Sequence, residues 1–325
     1  MHEQQREVAA RERKSKAHQD AKPANAQGVS HVTWRATVLG AAFSLFWASA
    51  FAAAKVAVVD APSLLLLTLR FLVSGIIAVA LARALGQRIP RDRRTWLAIG
   101  TLGISQNAIY LGLIFIAIRE VPSAFAAIIA SALPLAVATT TAALGRERLN
   151  LRAALGLACG AIGVVAVLYE RVVGGVSMLG IVLCLGSLGA LTFATMIVNR
   201  ARFDRDLLMI VGLQMFVGGL AIAPFGIVFE SPDAINFTLE LALSFAHLVL
   251  IPGLLATFVW FRLIQWIGPT RASVFHFLNP GFAVAIAWVV LDEPLTSGTV
   301  IGMTLVALGI LLVQTARLEA SAGSR

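Results

Sequence analysis

The sequence predicts an all-α membrane protein, ten transmembrane helices arranged as two inverted five-helix repeats. Three observations carry that prediction. Hydrophobic residues make up 58% of the 325 residues and charged residues only 13%, with a mean hydropathy of +0.85, more apolar surface than a soluble domain can bury. The polar residues gather in short islands between apolar runs of about 20 residues, the length that crosses a hydrocarbon core. The second half of the chain also echoes the first at a fixed offset of 146 residues.

The apolar runs place the spans near 36–57, 63–82, 95–118, 123–143, 152–169, 177–199, 207–229, 241–263, 272–291 and 297–316. Residues 36–170 then form a first repeat of five spans and 177–316 a second. Residues 1–35 are polar, carry the basic cluster "RERKSK" and lack a signal-peptide core, so a disordered cytoplasmic tail is expected there. Touching anionic lipid and simple retention inside the cell are both open roles for that cluster. Residues 317–325 form a second short cytoplasmic tail.

Net charge is +9 and the isoelectric point near 10.7. In a soluble chain this would suggest nucleic acid. Here the basic residues sit in the tails and in alternate loops, so no nucleic-acid partner is expected. With the amino terminus inside, 22 Lys and Arg fall in cytoplasmic segments and only Arg119 and Arg171 outside, with Lys55 and Arg70 inside spans. This positive-inside bias predicts an inner (plasma) membrane protein with both termini cytoplasmic. Cys159 and Cys184 lie within apolar runs and read as packed thiols. No metal site and no cofactor are expected.

At the offset of 146, Gly40 aligns with Gly186, Asp60 with Asp206, Ala126 with Ala272 and Pro134 with Pro280. Glu147 aligns with Glu293, Leu149 with Leu295, Gly156 with Gly302 and Gly163 with Gly309. Five spans is an odd number, so the second repeat enters the membrane in the opposite sense. In transporters so built, the substrate site lies near the midplane between the repeats. Pro134 and Pro280 interrupt spans four and nine at equivalent positions, each removing a backbone donor. They mark either a transport site or a packing kink.

The segments "LFWASAFAAAKVAV" and "LLLLTLRF" in the first half, with "SALPLAVATTTAALGRERL" and its counterpart "FLNPGFAVAIAWVVLDEPL", resemble the EamA-type family of the drug/metabolite transporter superfamily. The resemblance covers about residues 37–316. It implies two inverted five-helix repeats around a central cavity and export of amino acids or other small metabolites. One departure stands out: Arg148 follows the first-half acid where Pro294 follows the second.

Polar side chains inside a membrane are functional suspects. Lys55 and Arg70, the latter roughly 10 Å deep at ~1.5 Å per residue, resemble the Lys and Arg of that family's first and second helices. They are expected either to attract an anionic group or to tie down carbonyls or Asp60. Ser44, Trp47 and Ser49 of span one and Gln106, Asn107 and Tyr110 of span three lie near the midplane. So do Ser131 of span four, Ser187, Thr192 and Thr195 of span six, and Pro252, Gly253, Thr257 and Trp260 of span eight. His276 and Asn279 of span nine share a helix face. From this set Ser44, Trp47, Gln106, Asn107, Tyr110, Ser131, Thr192, Trp260, His276 and Asn279 form the candidate substrate cavity. For each Ser and Thr, a bond to its own helix competes with ligand contact.

All 17 Asp and Glu lie in tails, loops or span ends. His276 is therefore the best titratable group within the membrane, and His247 a second. Glu147 and Glu293 are expected to cap the next helix or pair with an Arg, with a gate latch as the alternative. No nucleophile–base pair or phosphate loop is present, which argues against an intramembrane enzyme and an ATP-driven pump. A secondary transporter is the leading expectation. A passive facilitator or channel stays open because no carboxylate sits mid-span. The partners are a small-molecule substrate and the lipid bilayer, with monomer and homodimer both open.

Overall fold

The computed structural model describes residues 26–145, 150–173, 175–198, 206–267 and 272–323. The described residues divide at Leu39/Gly40 into two compact units, and the packing below concerns the second. Among the described residues ten helices are long and apolar enough to cross a membrane. They are α1 (Trp34–Asp60), α2 (Ser63–Ala84), α3 (Arg93–Glu120), α4 (Ser123–Ala143), α5 (Leu151–Glu170), α6 (Met178–Met196), α7 (Leu207–Phe229), α8 (Leu239–Trp260), α9 (Val274–Leu291) and α10 (Ser297–Ala316). Each overlaps its expected span with small shifts at the ends. The helix containing α1 starts at Ala26, inside the stretch expected to be a tail, and the one containing α10 runs on to Gly323. That last extension, "RLEASAG", is rich in helix formers, and its Glu319 pairs with Arg152 at the start of α5. The RERKSK cluster, Glu147 and Arg148 lie outside the described residues.

The prolines behave differently from the mid-helix interruptions expected. α4 breaks at Ala132, whose ψ is 1°, and Pro134 sits in the first turn of the second segment, Leu133–Ala143. α9 opens with a 3₁₀ stretch, Ser273–Leu278, and Pro280 sits in the first turn of Asn279–Leu291. A first-turn proline loses nothing by lacking an N–H, because that donor would have no partner there. Each proline thus restarts a helix that the preceding residues have tightened.

A second pair of irregular turns was not expected. α3 is π-helical over Gly103–Tyr110 and α8 over Val249–Leu255. The offset of 146 carries one onto the other, so Gln106–Asn107 is the counterpart of Pro252–Gly253. π turns are rare and cluster at functional sites.

Glycines set the approach of the helices. A Cβ on Gly156 would lie 2.9 Å from the Gly309 carbonyl oxygen, and one on Gly309 2.7 Å from that of Gly156. Gly163 and Gly302 meet in the same reciprocal way, at 2.8 and 3.0 Å. Gly156 and Gly163 are the repeat counterparts of Gly302 and Gly309, so α5 and α10 contact as the two halves of a two-fold interface do. α2 and α7, the other self-paired helices, approach at Gly75 and Gly212. In lipid such close small-residue packing replaces the hydrophobic drive. α4 sits at the centre, with Ser123–Ser131 buried throughout, whereas α5 turns Leu155, Ile162 and Val165 outward.

At one end of the bundle the termini are cross-tied. α2 and α4 both start after a Pro whose side chain cannot cap them. Glu230, at the end of α7, accepts from the Leu64 amide at 2.9 Å and the Leu65 amide at 2.8 Å. Glu293, after α9, accepts from Ser123 N at 2.6 Å and Ala124 N at 3.1 Å. Glu293 therefore caps a helix of the other repeat rather than the next helix in the chain. Lys55 Nζ donates to the carbonyls of Ile118 (2.6 Å) and Val121 (3.1 Å) at the end of α3. In return Arg119 donates to the Val58 carbonyl at 2.7 Å near the end of α1. Anions sit on helix starts and cations on helix ends, as the helix dipole favours.

Two substitutions test this packing. Gly163→Leu should lower the detergent unfolding temperature and shrink the monodisperse fraction, at an overpacking cost of about 1–3 kcal/mol. Glu230→Gln should destabilise by about 1–2 kcal/mol through loss of a charge-assisted cap, whereas Asp233→Asn in the exposed turn beyond it should leave the unfolding temperature unchanged.

Candidate functional site

The site grows from the 3₁₀ entry of α9. A 3₁₀ turn is narrower than an α turn and leaves carbonyls in poorer geometry. One of them, Phe275 O, accepts from Ser44 Oγ on α1 at 2.8 Å. The bond is possible because Gly40, one turn earlier on α1, leaves no room for any side chain: a Cβ there would lie 2.3 Å from the Phe275 ring. α1 is thereby drawn against α9, and its next turn faces His276.

Around His276 of α9 three rings from α1 and α8 converge. Trp260 meets the imidazole edge-on at a centroid distance of 5.0 Å, Phe43 at 5.4 Å and Trp47 at 6.4 Å. Phe43 and Trp260 also stack at 4.7 Å. Phe43 and Trp47 are four apart, so one face of α1 supplies both. The structure thus brings Trp47, Trp260, His276 and Ser44 together. Phe43, which completes the cluster, was not singled out in the sequence, where it is one of 18 phenylalanines. His276, Trp47 and Trp260 are only half-buried, which leaves ring surface open to a ligand.

Asn279, one turn further along α9, is fully buried, and neither Oδ1 nor Nδ2 has a partner. An unsatisfied buried amide costs about 1–3 kcal/mol per group. It occurs where the tightened turn ends and the proline restarts the helix, beside the rings.

The other expected polar residues divide. Ser131 donates to Ala127 O, Thr192 to Leu188 O, Thr195 to Leu191 O, Ser187 to Cys184 O and Thr257 to Gly253 O. All five serve their own helices. Asn107 is buried in the π turn of α3 and donates through Nδ2 to the Gln214 carbonyl of α7 at 3.0 Å. Its Cβ packs on Gly218, the only residue type that admits it there. Asn107 therefore bridges α3 and α7. Gln106 is half-buried on the same turn.

A second polar group forms where α2, α3 and α8 meet. Arg70 is 5% exposed, and its guanidinium lies 5.3 Å from the Phe71 ring and 5.8 Å from that of Phe115. Its Nε donates to the Leu248 carbonyl at 3.3 Å. Pro252 in the π turn has no N–H, so it cannot give that oxygen the partner an α-helix would. Tyr110 and His247 stand within electrostatic reach of the guanidinium. Nε2 of His247 lies 2.9 Å from Ser49 Oγ of α1. Lys55, by contrast, is engaged by terminal carbonyls as described above. No group of three or more His, Cys, Asp or Glu suited to a metal occurs among the described residues.

Known proteins share both sequence and fold with this chain. The EamA-like transporter family matches residues 34–169 and again 178–315. The uncharacterized transporter YvbV of Bacillus subtilis is 24% identical over 86% of this chain and 92% of its own length. Protein PecM of Dickeya dadantii is 26% identical over 77% and 82%. The uncharacterized inner membrane transporter YedA of Escherichia coli is 23% identical over 85% and 90%. A crystal structure at 21% identity superposes with a TM-score of 0.65, covering 88% of this chain and 98% of that one, which shows the fold. With both halves of the chain matched by the same domain across ten membrane-length helices, the chain belongs to the EamA-like transporter family and is a multi-pass membrane transporter.

Proposed function

We propose that the protein is a secondary transporter that exports amino acids or similar small metabolites across the inner membrane by alternating access, with both termini in the cytoplasm. The observation that carries this reading is the aromatic cluster around His276, set at a tightened helix entry beside the unsatisfied Asn279 amide. Half-buried rings offer a flat side chain stacking and edge contacts worth about 0.5–1.5 kcal/mol each. A buried amide without a protein partner offers a polar head group one donor and one acceptor. Residues 36–170 and 177–316 act as the two moving repeats, and residues 1–35 remain inside.

The repeats rock about the glycine-paired α2–α7 and α5–α10 contacts, while the cross-repeat caps from Glu230 and Glu293 hold one end shut. A passive facilitator is the second reading, favoured by one feature: every carboxylate in the sequence lies outside the mid-span region, so a proton carrier of that kind is missing. Proton coupling through His276 is the competing route.

Counterflow in proteoliposomes, scanned over an amino acid and metabolite library, tests the reading. A carrier accumulates labelled solute against its gradient when preloaded with unlabelled solute, and a channel does not. Trp260→Ala and Asn279→Ala should each cut the transport rate at least about tenfold, the loss expected for about 1.4 kcal/mol of binding, with membrane-inserted yield near wild type. If yield falls in step with rate, both residues are structural and the site assignment fails.

Orientation has its own test. In a background lacking Cys159 and Cys184, a cysteine at Asp233 should label in intact cells and one at Arg91 only after lysis. The reverse pattern would overturn the topology.

A further inference from the structure

Twelve residues of α8 separate Leu248, which holds Arg70, from Trp260 of the aromatic cluster. At ~1.5 Å per residue that is about 18 Å along the helix, longer than one guanidinium can span. Arg70 therefore belongs to a different level of the bundle from His276.

Its environment is unusual for a charge. The residue is 5% exposed, two phenylalanine rings flank the guanidinium, and Nε alone is bonded, to one backbone carbonyl. Among the described residues the one ion pair joins Arg152 and Glu319, far from it in the fold, and no carboxylate faces Arg70. Its two Nη groups have no acceptor among the described residues. Ser74, one turn on along the same face of α2, is buried with its hydroxyl unpartnered too. A buried charge left alone is costly, and a paired, hydrogen-bonded anion offsets part of that cost. An arginine fork with two free parallel donors matches the geometry of a carboxylate. Other cations in this protein look different: Lys55 is held by the terminal carbonyls of Ile118, Arg119 and Val121, and Arg119, which donates from Nε and Nη2 to the Val58 carbonyl, is exposed at the edge of the bundle.

We propose that Arg70, with Ser74 one turn along the same face of α2, is a carboxylate-binding station on the transport path, separate from the aromatic cluster, which restricts the cargo to solutes bearing a carboxylate. The free Nη pair grips the carboxylate, and the phenylalanine rings keep the cation fixed while no anion is present. Neutral analogues lack the charge that completes the site. This proposal rests on the transporter reading above and adds the class of substrate.

The test uses purified full-length protein in nanodiscs of neutral lipid, in chloride-free buffer, with thermal unfolding as the readout. The probes are the proteinogenic amino acids, a set of keto and hydroxy acids, and 3-phenylpropionate, each beside its own carboxamide. At least one carboxylate should raise the unfolding temperature, and its carboxamide should do so only at concentrations about 10- to 100-fold higher, the range expected for charge-assisted hydrogen bonds. Arg70→Gln should abolish the difference between acid and amide. Should that variant fail to fold, Arg70→Lys keeps the charge but not the fork, and should weaken the acid while leaving the amide unchanged. Equal response to acid and amide, an undiminished preference in Arg70→Lys, or no stabilisation by any carboxylate overturns the proposal. Stabilisation by chloride or by anionic lipid alone, with no response to carboxylates, also overturns it. Counterflow of a neutral or cationic solute would sink the carboxylate requirement and leave the transporter reading standing.

Discussion

Within hydrocarbon there is no water to satisfy a backbone amide or carbonyl, so a membrane helix can deviate from regularity only where protein or a water-filled cavity supplies the missing partner. The irregular features of this fold answer to that constraint. Pro252 cannot reach back to Leu248, so the helix widens into a π turn there, and Arg70 donates to the Leu248 carbonyl from across the bundle. The 3₁₀ entry of α9 exposes the Phe275 carbonyl, and Ser44 covers it. α2 and α4 begin after prolines without side-chain caps, and glutamates from the opposite repeat take their amides. Helix irregularity and contact between the repeats are thus one phenomenon seen from two sides.

The near two-fold relation between the repeats sharpens this point through its exceptions. The π turns of α3 and α8 are counterparts, yet one contains Gln106–Asn107 and the other Pro252–Gly253. In one case the turn projects an amide onto the neighbouring α7 backbone. In the other it presents a bare backbone, and the neighbouring α2 supplies the side chain. The same backbone device is completed from opposite directions. Polar chemistry therefore concentrates on the α1, α2, α8 and α9 side, while the α3–α7 contact is closed by Asn107.

Much of the fold was legible in the sequence because membrane helices advertise themselves by length and apolar composition, and because the repeat recurs at a constant offset. The aromatic and histidine members of the site were legible too, since Trp47, Trp260 and His276 are uncommon residues inside apolar runs. What stayed hidden was hidden for physical reasons. The π turns left no trace because the two halves carry unlike residues at matching positions. Phe43 looks like any core phenylalanine until its neighbours are known. Glu230 and Glu293 reach helices about 165 to 170 positions away in the chain, which no local pattern encodes. For Lys55 and Arg70 the sequence offered an anion or carbonyls as partners, and only coordinates separate the saturated lysine from the arginine with donors to spare.

The reciprocal glycine contact between α5 and α10 has a consequence for ancestry and engineering. Gly156 touches Gly309 and Gly163 touches Gly302, while the offset makes Gly156 the counterpart of Gly302 and Gly163 that of Gly309. Two identical half-length chains inserted in opposite directions would form the same surface without a linker. The covalent join between Leu151–Val173 and Met178–Val198 then serves to fix which half faces which way, and it frees each half to drift. Arg70 has Phe216 as its counterpart, the kind of divergence a strict homodimer could not make.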